Sequence, residues 1–280
     1  NATVNPMWLL RSLPNNVLCH VGINYGLKGA NACITNHSIS GMLAIVEALS
    51  ALRASEADYA VAVGHEAPIE PQYLLYYQGV GLTARDAIRP FDAARDGSLF
   101  GEGAGALVME TESAAVARGA DVLGEVLGGG SASEAEGLLA IRDDGDGVVA
   151  AIEAALVDAD IDAGQVGFVV AHGNGTRASD ASEVRALRSI FGDQMPPITA
   201  SKWSIGHLLA GSGAIDAVLA LQALRRGVVP GIATLETLDL EFPDLAVSKA
   251  PVPPRSDIAL VISRGFGGTN AALVIRGGRA

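Results

Sequence analysis

Short apolar runs alternate with helical stretches along most of this chain, and this alternation restricts the possible folds more than any other feature. Runs of apolar and β-branched residues predict strands, and apolar residues at helical spacing predict the helices between them. Such an order is typical of a layered α/β protein. The predicted strands are 31–35, 59–64, 103–110, 120–130, 166–171, 198–201, 258–263 and 271–276. The predicted helices are 39–53, 112–118, 147–157, 180–191 and 213–225.

Two of these segments carry further information about burial. The predicted helix 39–53 is apolar around most of its circumference. A surface helix keeps one polar face, so this helix is expected to lie buried between two sheets. The segment 134–146 is rich in Glu, Asp and Gly instead, which predicts a surface loop.

The composition fits a large core and excludes several functions. With 280 residues, 49% of them hydrophobic, the chain can form one large domain or two fused halves. No apolar run approaches the roughly 20 residues of a membrane helix, and no signal peptide opens the sequence. Two cysteines, Cys19 and Cys33, argue against a disulfide framework and predict a cytoplasmic location. The net charge of -12 argues against nucleic acid and anionic membranes as partners.

Four segments, in a fixed order, combine histidine, lysine or glycine in patterns that can support catalysis. They are 89–105, the His172 segment 170–176, the Lys202 and His207 segment 201–213, and the glycine-rich turn 263–270. Glycines beside the histidines allow backbone to approach a ligand closely. A single segment of this kind is weak evidence for a catalytic site, whereas four such segments in order are strong evidence.

Together with residues 28–41, these segments resemble the signature motifs of the β-ketoacyl synthases, the condensing enzymes of fatty-acid and polyketide synthesis. The resemblance covers essentially the entire chain. It implies the thiolase-type fold, a layered α/β fold of two related halves. Residues 1–130 would be the remainder of the N-terminal half, with the nucleophile strand and helix. Residues 131–280 would be the C-terminal half, with both histidine motifs and the glycine-rich turn.

The family's first third has no counterpart in this sequence, so the first half is expected to be incomplete. A sheet that lacks its opening strands exposes unpaired edges. We therefore expect a separate N-terminal segment or chain to complete the fold.

The resemblance places Ser38 where the family has its nucleophilic cysteine. Gly29 opens the strand nine residues earlier, as in the family, and Ser40 and Gly41 follow as the family's Ser-Gly. Cys33 is then expected to be a buried, inward-facing strand residue. A cysteine at a helix N-terminus ionises readily, whereas a serine hydroxyl needs a positioned general base. Efficient chain elongation is therefore not expected.

The resemblance also implies roles for the other site residues. His172 and His207 would donate N–H groups to the oxygen of a malonyl thioester as an enolate forms, which lowers the barrier electrostatically. Lys202 would orient His172 through a polar network, unless it is a solvated lysine. Thr176 and Thr269 would bind the pantetheine arm or the malonyl group, unless they are turn residues. The remaining predicted substrate-binding residues are Phe266 as a gate, Gly267 in a turn whose N–H contributes to an oxyanion hole, and Arg264, where an aromatic residue is common.

Three functions remain open for this combination of residues. Loss of the thiol with retention of both histidines favours a malonyl-carrier-protein decarboxylase. A non-condensing partner subunit, similar to a chain-length factor, is the second reading, although typical members of that group have lost the histidines. In the third, Ser38 carries an acyl group for transfer, with His37 or a motif histidine as base. An engineered serine is a further alternative, against which the unusual Asn36 and His37 argue.

The resemblance implies the partners as well. The substrate would be presented on the phosphopantetheine of an acyl carrier protein, and no tightly bound cofactor or metal is expected. Because carrier proteins are acidic like this chain, docking would require a local arginine patch. A second thiolase-fold subunit, identical or different, would complete a dimer.

Overall fold

The computed structural model describes residues 7, 8, 10 and 13–278 of the chain, in which two sheets are present. Strands β1 (Tyr59–Glu66) and β2 (Gly103–Glu110) pair antiparallel over their full length. The larger sheet has the order β3-β7-β6-β4-β5, with β4 parallel to both neighbours and β7 antiparallel to both of its own. Its strands are β3 (Gly124–Ser133), β4 (Phe168–Val170), β5 (Ile198–Thr199), β6 (Ile258–Gly265) and β7 (Thr269–Gly277).

The described part of the chain contains eight α-helices, four of which pack between the sheets or over the larger one. The eight helices are α1 (Asn16–Tyr25), α2 (Ser40–Arg53), α3 (Pro71–Gly79), α4 (Glu112–Ala117), α5 (Asp146–Asp158), α6 (Arg177–Phe191), α7 (Lys202–Ile205) and α8 (Ser212–Arg226). Helices α2 and α8 contact β1 and β2 on one side and the larger sheet on the other. Helix α5 packs on β3 and β7, with α6 beside it. The predicted burial of the 39–53 helix between two sheets is therefore confirmed.

The larger sheet is buried on both faces because each face packs against its own apolar core. Successive residues of β6 alternate between them: Leu260 belongs to the core under α5 and α6, and Val261 to the core under α2 and α8. A strand covered on both sides is expected to be apolar without interruption. This explains why the segment 258–263 reads as a continuous apolar run.

The structure corrects three expectations. The predicted strand 31–35 is absent, since none of these described residues pairs with another strand. Cys33 is consequently exposed and not buried, because an unpaired segment has no inward face. Residues 71–79, where neither a helix nor a strand was predicted, form α3, which begins with Pro71 at a position where proline favours a helix.

The loop predicted at 134–146 is mostly at the surface, with exceptions at Glu134 and Gly145, which are buried. The carboxylate of Glu134 is buried because it accepts hydrogen bonds from two buried side chains described below. Within the part of the chain that the structure describes, no helix combines the length and apolar character required to cross a bilayer.

Candidate active site

Ser38 lies in a short 3₁₀ turn, His37–Ile39, immediately before α2. The Ser40 hydroxyl donates to the carbonyl of His37 at 2.7 Å, and it accepts the N–H of Asn36 at 2.7 Å. The carbonyl of Ser38 accepts the Ser263 hydroxyl at 3.0 Å, which ties the turn to β6. Ser38 is therefore held, buried, at the N-terminus of a helix that lies between the sheets.

His172 follows β4, and its backbone is held by a buried carboxylate. Glu183 of α6 accepts the N–H groups of His172 and Gly173 at 2.7 and 3.0 Å. The ring is fixed separately, because its Nδ1 accepts the backbone N–H of Arg264 at 3.2 Å. An N–H group can only donate, so Nδ1 carries no proton and Nε2 carries the ring hydrogen.

His207 follows α7, and its ring is fixed in the same way. Its backbone pairs with the segment 99–101, donating to Leu99 at 2.7 Å and accepting from Gly101 at 3.1 Å. Its Nδ1 accepts the N–H of Leu209 at 3.3 Å and lies 3.1 Å from the Ser212 hydroxyl. His207 therefore also carries its hydrogen on Nε2.

These two histidines and Ser38 meet in one pocket. The rings of His172 and His207 lie edge to face, with centroids 5.2 Å apart. The Nε2 of His207 is 3.4 Å from the Ser38 Oγ, and all three residues line the same cavity. The cavity holds about 740 Å³ of empty space, part of it open to solvent. The prediction that Ser38, and not Cys33, lies at the focus of the histidine motifs agrees with this geometry.

Both histidines are neutral near pH 7. Burial lowers the pKa of His172 and of His207 well below its usual value, and the charge of Lys202 lowers both further. Lys202 is completely buried, which excludes the reading of a solvated lysine. Its ammonium donates to Asp216 of α8 at 3.3 Å, and the Ser201 hydroxyl donates to the other oxygen of the same carboxylate.

Arg264 is buried, and its guanidinium is held by protein acceptors. It donates to the Asn270 side chain at 3.0 Å and to Glu134 at 2.8 Å. It also donates to the carbonyl of Ser179 at 2.8 Å and to the hydroxyl of Ser182 at 3.2 Å. The contact of Arg264 with the histidines is made by its backbone N–H, which donates to the Nδ1 of His172. A role for Arg264 in substrate binding stays a prediction.

Of the other predicted substrate-binding residues, Thr176 and Phe266 line the pocket, and Gly267 and Thr269 follow Phe266 at the turn into β7. Thr269 donates to the carbonyl of Phe266 at 3.3 Å, and Gly267 continues the same turn in a left-handed conformation. Thr176 donates to Asn174 at 2.8 Å. Both hydroxyls have protein partners, and their roles toward a substrate stay predictions.

Sequence reasoning missed several residues that build this site. Glu183 and Asp216 support the histidine motifs from helices, and nothing in their local patterns singles them out. Tyr77 lies in the unpredicted α3, and its hydroxyl is 2.8 Å from the Nε2 of His37. The His37 ring stacks on Phe266 with centroids 4.6 Å apart. The unusual histidine next to Ser38 was the one available signal for this second set of contacts.

Comparison with known proteins agrees with the motif order. Residues 1–115 match the family described as beta-ketoacyl synthase, N-terminal domain, and residues 123–236 match beta-ketoacyl synthase, C-terminal domain. The chain is 33% identical over 272 residues to Nodulation protein E of Rhizobium meliloti, covering 95% of this chain and 67% of that protein. The chain belongs to the β-ketoacyl synthase family. It is also 35% identical over 285 residues to 3-oxoacyl-(acyl-carrier-protein) synthase 2 of Synechocystis sp., covering 97% and 67%.

Solved structures show that this β-ketoacyl synthase family member has the thiolase-type fold. A type II PKS acyl-carrier protein in complex with its ketosynthase bound to the hexaketide matches with a TM-score of 0.95 at 26% identity, over 99% of this chain and 70% of that chain. The ishigamide ketosynthase/chain length factor matches with a TM-score of 0.93 at 29% identity, over 99% and 68%. The chain spans about two thirds of the length of these relatives.

Proposed function

We propose that this member of the β-ketoacyl synthase family decarboxylates a malonyl thioester presented on the phosphopantetheine of an acyl carrier protein. The observation that carries this proposal is the state of the two histidines. His172 and His207 are both neutral, both have Nδ1 occupied by a backbone N–H, and both therefore present an Nε2–H donor.

Decarboxylation requires stabilisation of the negative charge that develops on the thioester oxygen. The bond between the α-carbon and the carboxylate breaks, carbon dioxide leaves, and the electron pair forms an enolate. Two preorganised N–H donors at the enolate oxygen lower the barrier, because they need no reorganisation during the reaction. The enolate carbon then takes a proton, and an acetyl thioester is the product.

Ser38 makes this reaction the favoured one over condensation. Condensation begins with transfer of an acyl chain to the nucleophile, and a hydroxyl needs a positioned base for this step, whereas a thiolate does not. The oxygen ester would also accept the carbanion less readily than a thioester. Decarboxylation requires the two histidines but does not require transfer of an acyl chain to Ser38.

The partners belong to the same proposal. Structural neighbours include a ketosynthase with its acyl-carrier protein and a ketosynthase/chain length factor. We infer that this chain acts in the cytoplasm, with an acyl carrier protein and a second thiolase-fold subunit.

The test is release of carbon dioxide from the malonyl thioester of pantetheine. The proposal predicts conversion to acetyl-pantetheine without any added acyl donor. If the folded protein releases no carbon dioxide, either alone or with a second ketosynthase subunit, the reading as a non-condensing partner subunit replaces it.

A further inference from the structure

A directional chain of hydrogen bonds runs from His207 through Ser38 and His37 to Tyr77, and decarboxylation leaves most of it without a role. The Ser38 Oγ is 3.4 Å from the Nε2 of His207 and 2.9 Å from the Nδ1 of His37. The Nε2 of His37 is 2.8 Å from the Tyr77 hydroxyl.

Backbone groups fix the direction of this chain at both ends. The N–H of Phe266 points to the Nδ1 of His37 at 3.5 Å, so Nδ1 is an acceptor and Nε2–H donates to Tyr77. His207 donates to the Ser38 Oγ, because its own Nδ1 is occupied by the N–H of Leu209. The hydroxyl hydrogen of Ser38 is therefore directed to the unprotonated nitrogen of His37.

The His37 ring is held in place from several directions. It stacks on Phe266, and Phe266 stacks on Tyr77 with centroids 5.4 Å apart. Tyr77 also meets the Phe100 ring edge to face at 4.5 Å. The backbone of His37 has φ 47°, a region that non-glycine residues seldom adopt and that is common where function constrains the chain.

We propose that His37 is the general base of a second activity, in which Ser38 takes an acyl group from a thioester. The Ser38 proton passes to the Nδ1 of His37 as Oγ bonds to the carbonyl carbon. The C–S bond then breaks, and the imidazolium returns the proton to the departing sulfur. The products are an acyl ester on Ser38 and a free thiol, so atoms and electrons balance.

This arrangement meets the criteria for an activated nucleophile. The nucleophile and its base lie within hydrogen-bond distance, and a third group orients the base. Burial lowers the pKa of His37 to about 4, so Nδ1 is unprotonated near neutral pH and can accept the Ser38 hydrogen, and the same shift makes the ring a weaker base than a solvent-exposed imidazole. Tyr77 is a positioning residue, since it acts on Ser38 only through His37.

The experiment uses the S-acetyl thioester of pantetheine, which has no carboxylate to lose and so separates this activity from decarboxylation. Intact mass and peptide mapping of the full chain are expected to show an acetyl group on Ser38. His37→Ala should slow acetylation by on the order of 10²–10⁴-fold, and added imidazole should restore part of the rate. Tyr77→Phe should lower the maximal rate without changing the half-saturating concentration. The matched control is His20→Ala at an exposed histidine of α1, which should react like the parent.

Two kinds of result would overturn the proposal. One is a parent chain that is not acetylated, or is acetylated only on Cys19 or Cys33. The other is a His37→Ala variant that reacts as fast as the parent. Circular dichroism shows whether His37→Ala is folded; if it is not, the maximal rate of Tyr77→Phe decides, and an unchanged rate contradicts the proposal.

Discussion

The two ends of the pocket are built differently. At one end lie His172 and His207, called here the histidine pair. Backbone N–H groups hold both rings, the buried Glu183 holds the backbone of His172, and the segment 99–101 pairs with the backbone of His207. At the other end His37, Ser38 and Tyr77, called here the serine relay, contact one another mainly through side chains. The donors of the histidine pair are thus part of the scaffold. The serine relay depends instead on ring stacking and on side-chain hydrogen bonds between its own members.

The largest expected effect lies at the histidine pair. His207→Ala should lower the rate of malonyl decarboxylation by on the order of 10²–10³-fold, because one of two enolate donors is lost. His172→Ala should have an effect of similar size. Both rates are measured as carbon dioxide release from a malonyl thioester. Decarboxylation by both variants at the parent rate would show that the enolate forms elsewhere.

The support beneath the histidine pair should be nearly as sensitive. Lys202→Met leaves the Asp216 carboxylate buried without its cation, which should cost about 3–5 kcal/mol of unfolding free energy. Lys249→Met, which breaks an exposed pair with Glu236, is the matched control and should change stability by less than about 1 kcal/mol. Urea titration measures both. Equal losses would show that the buried pair does not support the site.

The same Lys202→Met substitution should also change how the decarboxylation rate depends on pH. The Lys202 charge lowers the pKa of both histidines, so its removal should raise those pKa values toward their usual range. The Nδ1 atoms must stay unprotonated to accept backbone N–H groups, so activity is lost as pH falls through these values. The acid limb of the decarboxylation rate should therefore move to higher pH in the variant. An acid limb at the parent position would contradict this electrostatic link.

The serine relay can be tested by changing its nucleophile. Ser38→Cys places a thiol at a helix N-terminus beside the Nε2–H of His207, which should lower the thiol pKa. At neutral pH we expect alkylation at residue 38 to be about tenfold faster than at the exposed Cys33. Iodoacetamide labelling with peptide mapping gives both rates. An inert thiol at residue 38 would show that the pocket no longer activates a nucleophile and would favour the partner-subunit reading.

The smallest expected effect concerns the scaffold that holds His207. A Cβ on Gly101 would lie 2.0 Å from the Ile205 carbonyl oxygen, so Gly101→Ala must displace one of the two paired segments. We expect a loss of about 1–3 kcal/mol in stability, with slower decarboxylation. Gly79→Ala, at a position with nothing within 4 Å, is the matched control and should affect neither.

Much of the fold follows from the sequence because strand and helix periods are local. The strand 103–110 was predicted with its observed bounds, and the helices 147–157 and 213–225 to within one residue at each end. The prediction of a strand at 31–35 was wrong because a strand depends on a neighbour, and no strand in the described part of the chain pairs with these residues. The exposed position of Cys33 follows from the same cause.

The site residues, too, fall into those that local motifs predict and those that depend on contacts between distant segments. His172, His207, Lys202 and Ser38 were predicted from motifs, because each lies in a short segment with its own pattern. Glu183, Asp216 and Glu134 reach the site from other elements, and burial of their carboxylates becomes visible only when the chain is folded. The contact between Tyr77 and His37 spans 40 residues and depends on the unpredicted α3.

The most direct test of the account is the intact mass of malonyl acyl carrier protein during incubation with the full chain. We expect the carrier to be converted to its acetyl form at a rate that depends on His172 and His207. A carrier that stays malonylated, or that is returned directly to its free thiol without an acetyl intermediate, would contradict the claim that the histidine pair stabilises an enolate.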